Sequence, residues 1–137
     1  MMEQARSRIQ IQVPVSAGEL FDKKTILEIK RDRISDTAQR VNVLHELELL
    51  TEIAKRVLAS ASDADQIGPL EADLKDINLR LWDLENLVRT HERQYIFDED
   101  FVRTARSNYA GNDRRAAVKR QINTLLLSSI VEEKCHT

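Results

Sequence analysis

Leu70-Glu71-Ala72-Asp73-Leu74-Lys75-Asp76-Ile77-Asn78-Leu79-Arg80-Leu81 is the stretch that decides the fold. Leu70, Leu74, Ile77, Leu81, Leu84 and Val88 recur at alternating steps of four and three, and His91 continues the series. A helix turns about 100° per residue, so these positions form one narrow apolar seam of the coiled-coil kind. The seam is expected to close either on a helix of the same chain or on a second copy. Gly68-Pro69 precedes it. Proline at a first helical position loses no needed amide, so the helix is predicted to open there.

Upstream, Ser16-Ala17-Gly18-Glu19 and Asp36-Thr37-Ala38-Gln39 have the spacing of capping boxes, in which two side chains satisfy the open amides of a helix start. The first predicts a helix over about residues 17–34. Its Leu20, Leu27 and Ile34 share one side, Ile26 and Ile29 another, and Phe21 a third, the pattern of a helix packed between neighbours. The second predicts a helix reaching about Ser60, with Val43, Leu47, Leu50, Ala54 and Val57 on its inner face. Ser60 to Gln66 is small and polar, and is the expected linker. Downstream, Asp98 suits a helix cap, and Gly111-Asn112 is predicted to interrupt the helix that follows. A last helix is predicted from Asp113 to about Glu133. Near the N-terminus, Ile9, Ile11, Val13 and Val15 alternate with polar residues at the period of a strand. Such a segment is expected to pair with a symmetry mate or to lie as an arm across the helices.

Composition agrees with long helices. Among 137 residues there are 3 Gly and 2 Pro, too few for the frequent reversals of compact β or α/β folds, while 32% are charged and 42% hydrophobic. The expected fold is all-α: a helical bundle of two antiparallel helical hairpins with a short N-terminal extended arm or strand. One domain is expected over 1–137, with residues 1–15 the arm, 16–60 the first hairpin and 67–134 the second. Cys135 is the single cysteine, which excludes an intrachain disulfide and suits a reducing compartment. No apolar run approaches the roughly 20 residues that span a bilayer. A cytoplasmic protein with no membrane partner is expected. Helix 1 and the last helix each present two apolar sides, so a homodimer is expected.

The net charge of -2 argues against a general nucleic-acid coat, yet charge is unevenly placed. Residues 70–100 hold four bases against nine acids, a balance of -5, and residues 101–123 hold six bases against one acid, a balance of +5. Two neighbouring helices attracting each other would account for this. So would an anion site on the basic stretch. Asn112, Asp113, Arg114 and Arg115 fall at the predicted start of the last helix, where open amides favour an anion, followed by Lys119 and Arg120. On the wheel Arg115 lies within about 20° of Ile122 and so points toward the core side, where a cation needs a partner. Glu28, Asp83 and Glu85 are the carboxylates expected to supply one. Lys24 and Arg31 border the inner stripe of helix 1, with Glu28 beside them. They either solvate their heads over packed stems or line a cleft facing Arg115 and Lys119.

Other chemistries lack residues. His45, His91 and His136 are far apart, and neither HExxH nor CxxC occurs, so no metal is expected. No phosphate-cradling glycine loop and no G-x-S-x-G elbow occurs, so no cofactor is expected.

Val13 to Lys30, Leu81-Trp82-Asp83-Leu84-Glu85, and Asn112 to Asn123 with Glu132-Glu133-Lys134 together resemble a family of short, uncharacterised bacterial and phage proteins, a domain of unknown function. The resemblance implies a stand-alone domain and supplies no activity. Helix 1, through Asp22, Ile26, Leu27, Glu28, Lys30 and Arg31, is also loosely similar to the first helix of small all-helical chorismate mutases. That likeness implies a dicarboxylate held between helices. The leading expectation is a non-catalytic oligomeric binding or interaction protein. One alternative is a binder of, or enzyme on, a small phosphate or carboxylate anion, with Glu28 its acid–base group. The other is nucleic-acid binding through Arg103, Arg106, Arg114 and Arg120.

Overall fold

The computed structural model describes residues 8–136. Four helices make an all-α bundle: α1 (Ala17–Arg33), α2 (Thr37–Ser60), α3 (Ala64–Gln94) and α4 (Glu99–Leu125). They form two antiparallel hairpins, α1/α2 and α3/α4. Residues 1–7 of the expected arm lie outside the described residues, and residues 8–15 run without helix or strand. Ile9, Ile11, Val13 and Val15 are exposed there, and no strand pairs with the segment among the described residues.

α1 is the central helix and packs against each of the other three. Its multi-sided apolar pattern is thereby accounted for. Leu20 and Phe21 meet Ala54, Ile67, Leu74 and Ile122 in the main core, and Leu27 meets Val43 and Leu47 in a smaller one. α2 runs antiparallel to α1, tied by Lys23–Glu46 at 2.9 Å. α3 runs parallel to α1, with Lys24–Glu71 at 2.6 Å near one end and Arg33–Asp83 at 2.7 Å near the other. The seam of α3 closes within the chain, because Leu74, Ile77 and Leu81 are buried against α1 and α4.

Three predicted boundaries move. α3 opens at Ala64, not at Pro69, which lies inside the helix. Ile67 is wholly buried in the main core, and that burial favours winding the preceding turn as helix. The linker shrinks to residues 61–63. α4 runs unbroken through Gly111 and Asn112. Gly111 serves packing instead of turning: a Cβ there would sit 2.8 Å from Leu81 Cδ2. Finally, α4 stops at Leu125 and not near Glu133. Leu127 adopts a left-handed φ of 53°, while Leu127 N–H bonds Thr124 O and Ser128 N–H bonds Asn123 O. These are the paired bonds of a Schellman end, with leucine where glycine is usual.

α3 also outruns α1. Arg33, the last residue of α1, pairs with Asp83, and α3 continues from there to Gln94. At about 1.5 Å per residue the α3/α4 hairpin projects roughly 16 Å beyond that point.

Candidate functional site

The start of α1 is built from three separated segments. Ser16 Oγ accepts from Glu19 N–H at 3.1 Å, the first half of the expected capping box. The second half does not close on the helix, because Glu19 Oε2 takes Lys119 Nζ at 2.6 Å. Gly18 N–H donates to Asn123 Oδ1 at 2.6 Å and Ala17 N–H to Ser128 Oγ at 3.0 Å. Ser16 Oγ in turn donates to Glu132 Oε1 at 2.6 Å. The amides that open a helix are thus satisfied by α4 and by the segment after it.

One turn further, a buried polar cluster joins α1 to α3. Asn78 Nδ2 donates to Asp22 Oδ1 at 2.8 Å and to Thr25 Oγ1 at 2.9 Å. Asn78 Oδ1 faces Arg115 Nη1 at 3.5 Å, and Lys119 Nζ lies 4.0 Å from Asp22 Oδ2. Arg115 and Lys119 are expected at a site from spacing, and Asp22 only through the chorismate mutase likeness; Asn78 and Thr25 stand in no motif. A signal was present: Gly18, Asp22, Thr25 and Ile29 follow steps of four, three and four, so polar and small side chains share one buried stripe of α1.

The seven proposed site residues do not gather in one cleft. Asn112, Arg115 and Lys119 line a recess of about 220 Å³ with Arg120, Asn123 and the 132–134 segment. Lys24 and Glu28 belong to a separate ion cluster, with Lys24–Glu71 at 2.6 Å, Lys24–Glu28 at 3.6 Å and Lys75–Glu28 at 3.8 Å. Burial pulls the Lys24 ammonium down, but the hydrogen bond and charge of Glu71, then those of Glu28, outweigh it and leave its pKa raised. Arg31 turns to Asp32 at 3.0 Å, and Arg114 lies by Asp73, Asp76 and Arg80. The dicarboxylate cleft implied by the chorismate mutase likeness is therefore not assembled from these residues.

Because α4 is continuous, Asn112 to Arg115 are mid-helix and offer no open amides. Asn112 donates its side-chain amide to Asn108 O at 3.0 Å. Arg115 is half-buried and turned toward α3, as the wheel predicts, but its expected carboxylates are engaged elsewhere. Glu28 holds Lys24 and Lys75, Asp83 holds Arg33, and Glu85 holds Arg89. Among the described residues Arg115 has no carboxylate within 4 Å, only the amide oxygen of Asn78. The charge halves behave likewise: α3 and α4 are neighbours, yet among the described residues no ion pair joins them. Their charges go to α1, to their own helices, or to the C-terminal segment.

The projecting end of α3/α4 concentrates aromatic side chains. Phe97 meets Phe101 edge-on at 5.2 Å and Tyr95 at 6.4 Å, and His91 meets Phe101 at 5.9 Å. Leu87, Phe97 and Val102 remain 45%, 53% and 46% exposed. Apart from Phe21, which is wholly buried, the chain's aromatic residues all lie on this hairpin.

No helix among the described residues is long and apolar enough to cross a membrane. The chain belongs to a family of unknown function, DUF6165, whose model matches residues 11–137. No curated protein and no solved structure matches it.

Proposed function

We propose that this family member is a non-catalytic helical interaction protein that assembles with a second copy of itself through the projecting end of α3/α4. The observation that carries this is the exposure of Phe97 and Val102, which line one shallow groove beside the Phe97–Phe101 pair, on a hairpin end that α1 does not cover. Exposed apolar patches with aromatic anchors are where partners dock. Complementary charge favours a second copy over an unrelated partner. Arg106 on α4 and Glu92 on α3 are exposed and have no ion-pair partner among the described residues. An antiparallel two-fold arrangement sets the acidic α3 of one copy beside the basic α4 of the other.

The experiment is light scattering on the wild type and on Phe97→Asp/Val102→Asp. A dimer in the wild type and a helical monomer in the double variant support the assignment. A wild-type monomer across the accessible concentration range overturns it. Binding to nucleic acid that weakens steeply with salt would favour the basic face of α4 as the working surface instead.

A further inference from the structure

The segment after α4 lies over cations of the same chain. Past the left-handed Leu127, Ser128 is fixed by its bonds to Ala17 N–H and to Asn123 O. Beyond it the chain has no regular structure and, among the described residues, no backbone–backbone bond. Two side-chain bonds hold it, Ser16 Oγ to Glu132 Oε1 at 2.6 Å and Ser128 Oγ to Ile130 O at 2.7 Å, and the rest is charge. Glu132 Oε1 lies 3.7 Å from Lys119 Nζ, Glu133 Oε2 2.8 Å from Arg120 Nη2, and Lys134 Nζ 2.7 Å from Asp113 Oδ1. The side chains of Glu132 and Glu133 remain 51% and 73% exposed, so these contacts are solvent-screened and individually weak.

Beneath the segment, Arg115 stands on the floor of the recess with no carboxylate of its own. An inward guanidinium demands an anion, and its planar fork suits a carboxylate or phosphate. We infer that Arg115, Lys119 and Arg120 form a site for a small multivalent oxyanion, and that Glu132 and Glu133 occupy its rim as a displaceable internal competitor. With the segment in place the recess measures about 220 Å³, and Glu132 to Lys134 form one of its walls, so displacing them widens it for a ligand such as citrate or pyrophosphate. Swinging the segment away from Ser128 removes two negative charges from the rim while Glu19 continues to hold Lys119. The site is independent of the projecting hairpin end, so it neither needs nor excludes self-assembly.

The test is calorimetric titration with citrate, and separately with inorganic pyrophosphate, at fixed ionic strength. Proteins are the wild type, Glu132→Gln/Glu133→Gln, and that double variant with Arg115→Ala added. Circular dichroism verifies that each is folded, and Glu133→Gln alone serves if Glu132→Gln disturbs the start of α1. Removing the glutamate charges tightens binding at least tenfold for one of the two ligands, and adding Arg115→Ala reverses the gain. Preference for citrate or pyrophosphate distinguishes carboxylate from phosphate recognition. Equal affinity with and without the glutamate charges, binding insensitive to Arg115→Ala, or no binding of either ligand to the double variant each overturns the inference.

Discussion

A Cβ placed on Gly18 would lie 2.5 Å from the carbonyl oxygen of Lys119, so α1 and α4 touch backbone to backbone at that point. The contact sets the start of α1 against Asn123 and Lys119, where Gly18 N–H and Glu19 find their partners on α4. Gly18→Ala forces two helices apart where neither side can yield. The expected cost is about 1–3 kcal/mol in urea unfolding, the usual range for overpacking. Gly68 is the internal control: beyond its chain neighbours, nothing lies within 4 Å of its would-be Cβ. In Gly68→Ala the gain in helix propensity is opposed by the new Cβ meeting the Cδ of Pro69, so stability is expected to stay within about 0.5 kcal/mol of wild type.

Leu127 holds a left-handed conformation with its side chain in solvent. An L-residue with a Cβ is strained there, at a cost of roughly 1–2 kcal/mol, while glycine is not. Leu127→Gly is expected to raise stability by about 1 kcal/mol. A loss of stability in chemical denaturation would show that the leucine side chain contributes packing the geometry does not reveal.

Asn78 satisfies Asp22 and Thr25 in the interior. Removing a buried partner costs the desolvation of what remains, about 1–3 kcal/mol and more where a charge is left. Asn78→Ala is expected to fall at the upper end of that range. Thermal melts with Asn78→Ala and Thr25→Val, singly and together, would show the coupling, since residues in one network are non-additive.

Lys24 has a pKa raised in the folded state. The native protein therefore holds this proton more tightly than the unfolded chain. The stabilisation is whole below the unfolded lysine value of about 10.4 and is lost as pH rises through the folded value. Wild type and Lys24→Gln compared by urea unfolding between neutral and strongly alkaline pH are expected to converge at the alkaline end. A gap constant across that interval would contradict the pairing with Glu71 and Glu28.

Much of the fold was legible because its signals are local. Ser16, Asp36 and Asp98 cap helices α1, α2 and α4, each with a side-chain oxygen bonded to the amide three residues on. The α3 seam is a property of spacing alone. The misread boundaries are those where tertiary contacts decide. Gly111 reads as a breaker, yet its missing side chain makes room for Leu81. The end of α4 carries no glycine signal, because the chain turns at a leucine to bring Ser128 and Glu132 to the start of α1. At the candidate site, spacing placed Arg115 inward. It gave no means of knowing that Glu28, Asp83 and Glu85 would each find another cation.

Self-assembly through the α3/α4 end is tested most directly by spin–spin distances in a singly labelled protein. Ser107→Cys, exposed near that end, is labelled in a Cys135→Ser background, with Ser60→Cys at the opposite end of the bundle as its counterpart. Strong dipolar coupling is expected between copies labelled at 107, at a distance well below the roughly 46 Å length of α3, with a much longer distance for label at 60. Coupling at 60 with none at 107, or at neither site, would contradict that self-assembly.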